Sequence, residues 1–191
     1  GLWYQAGGMG RNAAALQALF ERLGGTVRRH DPVLHIHTLG NRTAEVETAS
    51  GWRERFDAVA SNADVIHTYR DLLTDTPRGR EVSRKLAQKR FAPSLFTVHF
   101  GLEGSWPGIP HSAVLFGPRF KGLLEDVFAH GVLPQDQLIV LSHPSVTDPS
   151  VAPPGKSTFS ATIPVAHQGK LPVDWETLGD LVEKRVLAEV G

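Results

Sequence analysis

The sequence of 191 residues contains no cysteine. This absence excludes disulfide bonds, thiolate metal sites and cysteine nucleophiles together. No apolar run approaches the roughly 18 residues that a membrane-spanning helix needs, and the first five residues, GLWYQ, lack the basic and apolar regions of a secretory signal. A cytoplasmic location is the simplest expectation. The chain also lacks an initiating methionine and starts in a strand-like segment, which predicts a piece of a longer protein.

An excess of charge of either sign is also missing. The 20 Lys and Arg residues balance 20 Asp and Glu residues, so we expect no nucleic-acid partner and no acidic disordered tail. Hydrophobic residues make up 41% and charged residues 21%, as in a foldable soluble domain. The balance hides an asymmetry, because residues 1–90 carry 14 basic and 10 acidic side chains whereas residues 91–191 carry 6 and 10.

The spacing of apolar residues predicts about four helices and eight strands, besides a short strand remnant at residues 2–5. Helical spacing occurs at residues 13–23, 71–86, 121–130 and 175–190. Strand-like segments occur at residues 2–5, 26–29, 33–38, 44–48, 56–60, 94–102, 113–116, 138–141 and 158–165, with turn signals such as Gly40-Asn41 between them. Because helices do not alternate with strands in the second half, we expect an α+β fold with a mixed or antiparallel sheet and flanking helices.

A glycine-rich turn, residues 8–13, matches the loose dinucleotide pattern G-x-G-x-x-G/A. In that pattern the glycines let the backbone approach a pyrophosphate at the start of a helix. The preceding strand, however, is short and polar, unlike the buried first strand of a parallel sheet. A tight strand-to-helix turn that needs positive φ at glycine is therefore the favoured interpretation.

Other catalytic patterns are weak or missing. His35 and His37 would share one face of a strand, but no third ligand follows at a suitable spacing, and we expect no metal site. There is no G-x-S-x-G nucleophile turn and no phosphate-binding P-loop. The residues 147–150, TDPS, are typical of an Asx turn rather than of a catalytic group.

One basic segment allows two interpretations. Six basic side chains flank a narrow apolar stripe of Val82 and Leu86, namely Arg78, Arg80, Arg84, Lys85, Lys89 and Arg90. The pattern alone favours a solvated helix. The other interpretation is a helix that lies on an anionic membrane surface, where each basic residue adds about 1 kcal/mol.

Seven ordered motifs resemble those of one protein family. They are WYQAGGMG at 3–10, ASNADVIHTYRDLL at 60–73, SLFTVHFGL at 94–102, FGPRFK at 116–121, TDPSVAPPG at 147–155, PVAH at 164–167 and DW at 174–175. Over essentially its whole length the chain is similar to the phytoene desaturase family, the bacterial and fungal type of FAD-dependent carotenoid desaturase within the amine-oxidase-like flavoproteins. Two departures are Ala166, where the family often has proline, and a single His111, where it often has two histidines.

The resemblance implies a division of roles. The family binds FAD through an N-terminal Rossmann motif and a C-terminal segment, and neither occurs here, so we expect no complete Rossmann domain. Residues 1–73 would adjoin the FAD-binding domain, and residues 74–191 would form the substrate-binding domain. The backbone of Val33 would meet the adenine of FAD. This fragment alone would bind no flavin and would be inactive.

The resemblance also implies a reaction, in which a hydride passes to the flavin and a proton leaves the adjacent carbon of a phytoene-like substrate. The expected contacts to this long apolar isoprenoid are His99, Phe100, His111 and Phe116. A lipid-soluble substrate strengthens the membrane interpretation of the basic segment. The catalytic base, the number of desaturation steps, the carotenoid precursor and the oligomeric state stay open. The alternative is a non-catalytic module that binds lipid or another apolar ligand.

Overall fold

The computed structural model describes residues 3–39 and 42–191. They form two compact units. Residues 3–18 and 91–191 make up the sheet unit, and residues 19–90 make up the hairpin unit. The boundary expected at residue 73 refers to an FAD-binding domain outside the chain and stays a prediction; the two compact units have different bounds.

The hairpin unit contains a small antiparallel sheet. Its strands, in the order β1-β2-β3, are β1 (Val33–Leu39), β2 (Arg42–Thr48) and β3 (Arg53–Glu54). Ile36 and Val46 lie opposite each other and are buried. The strands predicted at residues 33–38 and 44–48 are confirmed, whereas the turn predicted at Gly40-Asn41 lies outside the described residues.

The helical part of the hairpin unit is divided, although the sequence predicted one helix over residues 71–86. A short helix, α2 (Val65–His67), continues into a π-turn (Thr68–Leu72), and α3 (Pro77–Ala87) then starts afresh. The break follows from Pro77, because the residue before a proline is driven to extended geometry. Thr76 has φ −101° and ψ 137°, and its hydroxyl accepts a hydrogen bond from the Gly79 amide at the start of α3.

Three of the predicted strands are wrong. Residues 26–29 and 56–60 form no strand, and neither do residues 3–5. Side-chain contacts replace ladder bonds there: the Arg28 guanidinium lies 4.1 Å from the ring centre of Trp52, and Phe56 packs on that ring. Neither residues 26–29 nor residues 56–60 pair with another strand among the described residues. An isolated apolar segment is not stable as a strand without such a partner.

The sheet unit contains four antiparallel strands in the order β4-β7-β6-β5. They are β4 (Ser94–Glu103), β5 (Ser112–Phe116), β6 (Leu138–Ser142) and β7 (Lys156–Val165). β4 and β7 pair over ten consecutive residues. All four predicted strands of the second half are confirmed, and with them the α+β class with antiparallel sheets and flanking helices.

The core of the sheet unit lies between one face of this sheet and α5 (Trp175–Val190). Val182 and Val186 of α5 are fully buried against that face. Asp174 starts the helix by accepting hydrogen bonds from the Glu176 amide and the Thr177 hydroxyl. The helices predicted at 121–130 and 175–190 are confirmed, the former as α4 (Phe120–Glu125) with a π-turn that continues to His130.

The helix predicted at 13–23 is also confirmed, as α1 (Gly10–Arg22). None of its residues is buried. Its apolar stripe is exposed instead, with 67% of Leu16, 51% of Phe20 and 78% of Leu23 accessible. An isolated helix of this length is marginal in water, so this stripe lacks the packing that usually stabilises a helix.

Two glycines in helices give a matched pair of substitutions. A Cβ at Gly79 would clash with the Leu73 carbonyl oxygen, whereas a Cβ at Gly179 would meet only a Phe96 ring carbon at 3.8 Å. Gly79→Ala should therefore lower the unfolding free energy by about 1–3 kcal/mol, and Gly179→Ala should raise it by roughly 0.5–1 kcal/mol. Urea unfolding followed by circular dichroism measures both; equal effects of the two substitutions would contradict the packing at Gly79.

Candidate functional site

The candidate site is the face of the four-stranded sheet that points away from α5. Along β7 every second residue from Ser157 to Val165 is buried, and the intervening residues are only half-buried. Along β4, Val98 is buried on the α5 side while Leu95 and His99 are exposed on the other side. On the neighbouring strands, Val114 and Phe116 of β5 and Val140 of β6 are exposed on the same side. We call this side of the sheet the open face.

Strand register arranges the open face into rows that cross the sheet. One row is polar and consists of His99, Ser160, Ser142 and Ser112. The next row consists of Thr97, Thr162, Val140 and Val114, and the threonine hydroxyls lie 3.0 Å apart. Beyond it, Leu95 pairs with Pro164, and Phe116 pairs with Leu138. The open face is therefore polar at one end of the strands and apolar at the other.

The apolar end is strongly exposed. Leu95 and Phe116 are 68% and 66% accessible, and Val114 and Val140 are 48% and 42% accessible. The Phe116 ring also meets that of Phe120 edge to face at 5.4 Å. Contiguous apolar surface of this kind marks a ligand-binding or interaction surface.

The structure places the four expected substrate contacts in three environments. His99 and Phe116 lie on the open face. Phe100 points to the α5 side, where its ring stacks on Phe159 at 5.4 Å, so it cannot share a ligand with them on the open face. His111 lies just before β5 and contacts residues of two distant segments. The substrate roles of these residues stay predictions.

His111 is held where the N-terminal turn meets the segment before β7. Its Nδ1 atom lies 2.7 Å from the Thr147 hydroxyl, and the Tyr4 ring contacts the imidazole edge to face at 4.7 Å. The adjacent Asp148 carboxylate accepts a 2.5 Å hydrogen bond from the Gly7 amide. Two of the sequence motifs, residues 3–10 and 147–155, therefore contact each other around this histidine.

The two turn interpretations from the sequence agree with the local geometry. Gly7 and Gly8 have φ values of 82° and 84°, which only glycine adopts without strain. Asp148 accepts hydrogen bonds from the Ser150 amide and hydroxyl, as an Asx turn requires. The sequence did not show the bond from Gly7 to Asp148, because those residues are 141 positions apart.

Val33 begins β1 and lines a pocket of about 370 Å³ in the hairpin unit. The wall is apolar where Val33 and Ile36 lie, and Ser61, Asn62 and His67 add polar groups. This volume is near the lower limit of small-molecule sites. The role of Val33 in meeting FAD stays a prediction.

The six residues of the basic segment are all exposed, as a surface helix requires. Arg80 donates to the Thr74 carbonyl and Lys85 pairs with Glu81. The apolar stripe of Val82 and Leu86 is half-buried, so it is not free to insert into a lipid layer. A helix with the length and hydropathy of a membrane span does not occur among the described residues.

The described residues hold no cluster of three or more histidine and carboxylate side chains arranged for a metal ion. His35 and His37 are neighbours on β1, with ring centres 5.7 Å apart. Contrary to the spacing argument, His37 does have acidic partners, Glu47 and Asp75, which come from distant positions in the chain.

A solved structure has a fold similar to that of this chain. A crystal structure of an oxidoreductase from Methanosarcina mazei matches 93% of the chain with a TM-score of 0.65 at 18% identity, and the match covers 37% of that protein. This likeness defines the fold as that of part of a larger protein. No family model matches the chain.

Curated relatives match the chain from end to end. A lycopene-forming phytoene desaturase from Paracoccus sp. is 42% identical over 100% of the chain, and one from Pantoea ananas is 40% identical over 98%. A neurosporene-forming phytoene desaturase from Cereibacter sphaeroides is 38% identical over 98% of the chain. These matches fit a fragment of the phytoene desaturase family, because the chain spans only about 38% of the length of these relatives.

The bond between Asp148 and Gly7 can be tested alone. The amide hydrogen bond from Gly7 holds the pKa of the Asp148 carboxyl below its ordinary value of 3.8. The stabilisation is therefore present above pH 3.8 and lost as pH falls through the lower folded-state pKa. At neutral pH, Asp148→Asn should raise hydrogen exchange at Gly7 and Ser150 about ten-fold.

Asp180→Asn, on the exposed side of α5, is the control, and it should leave both amides unchanged. Wild type and Asp148→Asn should converge in strong acid, where both carry an uncharged side chain. Unchanged protection at Gly7 in the Asp148 variant at neutral pH would contradict the contact.

Proposed function

We propose that this chain forms the hydrocarbon-binding part of an FAD-dependent carotenoid desaturase that acts on phytoene-like precursors. The observation that carries the proposal is the open face, whose exposed Leu95, Val114, Phe116 and Val140 belong to a chain with phytoene desaturases as relatives. An uncovered apolar wall suits a long isoprenoid, which offers no hydrogen-bonding groups. Covering this wall with the substrate would remove apolar surface from water at about 25 cal/mol per Å².

The residues of the chain would bind and orient the hydrocarbon and keep water from it. FAD would supply the acceptor for the hydride removed from one carbon, while a proton leaves the neighbouring carbon. The apolar rows would hold the chain of the substrate, and the polar row that contains His99 would mark where polar groups can lie. No residue is assigned as the proton acceptor.

The pocket beside Val33 supports adenine binding by the hairpin unit. It has an apolar wall for the base and polar groups at its edge. The described residues offer only antiparallel sheets, so the pyrophosphate and flavin would be bound by the remaining length of a protein like the curated relatives. The exposed stripe of α1 supports the same view, because Leu16, Phe20 and Leu23 would gain packing partners there.

A non-catalytic module that binds lipid or another apolar ligand is the second candidate. The open face would serve either function. The names of the relatives favour the desaturase, since those at 37–42% identity over nearly the whole chain are phytoene desaturases.

Function can be tested in bacteria that accumulate phytoene. The 191-residue chain alone should give no coloured carotenoid and should purify without flavin absorbance near 450 nm. A chimera that adds the flanking segments of the Paracoccus relative should bind flavin and produce coloured polyenes. A chimera that binds flavin but forms no desaturated product would favour the non-catalytic module.

The open face can be tested in the same chimera. Val140→Asp puts a charge on the middle of the apolar wall and should lower product formation more than ten-fold, because burying an unpaired carboxylate against hydrocarbon is costly. Leu181→Asp makes the same kind of change on exposed α5, where Leu181 is 54% accessible, and should leave most activity. Equal activity of the two variants, with flavin content retained, would contradict the proposal that the open face binds the substrate.

We also propose that α3 and the residues after it contact an anionic membrane surface through charge alone. Arg84→Glu combined with Lys89→Glu should reduce cosedimentation with phosphatidylserine vesicles several-fold, and high salt should have a similar effect on the wild type. Lys184→Glu, an exposed charge reversal on α5, is the control. Binding to uncharged phosphatidylcholine vesicles, or binding that resists salt, would contradict the proposal.

A further inference from the structure

The hairpin unit holds one histidine between two carboxylates. The Nε2 atom of His37 lies 2.9 Å from a Glu47 oxygen, and its Nδ1 atom lies 3.0 Å from an Asp75 oxygen. His37 and Glu47 are on the neighbouring strands β1 and β2, whereas Asp75 comes from the segment before α3. The imidazole therefore connects the sheet with the start of a helix.

This geometry requires a protonated ring. A neutral imidazole has one N–H, and ionised carboxylates only accept hydrogen bonds. Two short contacts to carboxylates are therefore both favourable only when His37 is an imidazolium. The bonds to Glu47 and Asp75 accordingly raise the pKa of His37 above its ordinary value of 6.5.

The surrounding charges define what changes when the proton leaves. Those that face His37 or border it are His35 on β1, Glu45 and Glu47 on β2, Arg53 and Arg55 at β3, Asp75 before α3, and Arg70 and Asp71 on the π-turn that packs against β1. Asp71 is paired with Arg70 and His67. Glu47 also lies 2.7 Å from the Arg53 guanidinium, which supplies a second cation beside His37.

Among the described residues, Asp75 forms no ion pair with a lysine or an arginine. Its other hydrogen bond is from the neighbouring Thr74 hydroxyl, and its side chain is 57% exposed. The segment it belongs to leads directly into α3, with Thr76 as the helix cap and Arg80 bonded to the Thr74 carbonyl. Loss of the imidazolium would leave a ring lone pair facing one carboxylate, and Asp75 is the one that water can solvate.

We propose that protonated His37 links the β1–β2 hairpin to the start of the basic helix α3. When His37 is protonated, its bonds to Glu47 and Asp75 are both present. When His37 is neutral, Asp75 is released and residues 74–79 open more often. Because the folded-state pKa is raised, the stabilisation is fully present below about pH 6.5 and is lost as pH rises through the folded-state value. The inference depends on neither flavin nor hydrocarbon binding.

The test uses the 191-residue chain. Nuclear magnetic resonance titration of the His37 ring should give a pKa above 6.5, and Asp75→Asn should lower it. Hydrogen exchange at residues 74–79, corrected for its intrinsic pH dependence, should increase roughly five-fold between about pH 6 and pH 8.5 in the wild type. In His37→Gln the corrected exchange should be fast at both values.

Two further variants keep the result interpretable. His35→Gln removes the neighbouring ring, which acts on Asp75 through its charge and not through a hydrogen bond, and should retain most of the wild-type pH dependence. If His37→Gln does not fold, Asp75→Asn leaves the hairpin side chains intact and should abolish the pH dependence by itself. A His37 pKa at or below 6.5, or the same pH dependence in wild type and Asp75→Asn, would overturn the proposal.

Discussion

The pairing register of β7 decides which side of the central sheet is core and which side is open. β7 lies between β4 and β6 and pairs with both. Its alternation places Phe159 and Ile163 against α5, where burying each large side chain contributes about 1.5–3 kcal/mol. A shift by one residue would expose both and bury the hydroxyls of the open face. The register that builds the core therefore also fixes the rows of the candidate site.

Packing on the α5 side of the sheet explains why the open face needs no second layer. Residues of α5 such as Val182 supply a complete apolar cover on one side, so the sheet does not need a second layer to stay folded. Exposed residues such as Leu95 and Phe116 then cost solubility without adding stability. The proposed hydrocarbon ligand would cover this face and remove its apolar surface from water.

The sequence predicted an element correctly where the spacing of apolar residues within one segment determined the structure. The strand-like pattern in residues 94–102 predicted β4, and the helical period in residues 175–190 predicted α5. It failed at residues 26–29 and 56–60, because strand formation depends on a partner that a local window does not contain. The Pro77 break was readable from the sequence, but the apolar spacing at 71–86 outweighed it.

The long-range contacts were beyond any local pattern. The bond between Gly7 and Asp148 and the bonds of His37 to Glu47 and Asp75 join positions far apart in the chain. The resemblance to a family drew attention to the motifs that meet at His111, but it did not say which atoms touch. Spacing rules test ligands within one segment, so they could not find the carboxylates on either side of His37.

A buried histidine shows how such contacts reach the candidate site. His143 is 1% exposed, its Nδ1 lies 3.0 Å from the Ile109 carbonyl, and its ring stacks on Phe159 at 4.2 Å. A carbonyl only accepts hydrogen bonds, so the hydrogen must be on Nδ1. The His143 amide also donates to the His111 carbonyl. His143 thus holds both Ile109 and His111, the two ends of the segment that leads into β5. The position of His111 therefore depends on packing on the face of the sheet opposite the open face.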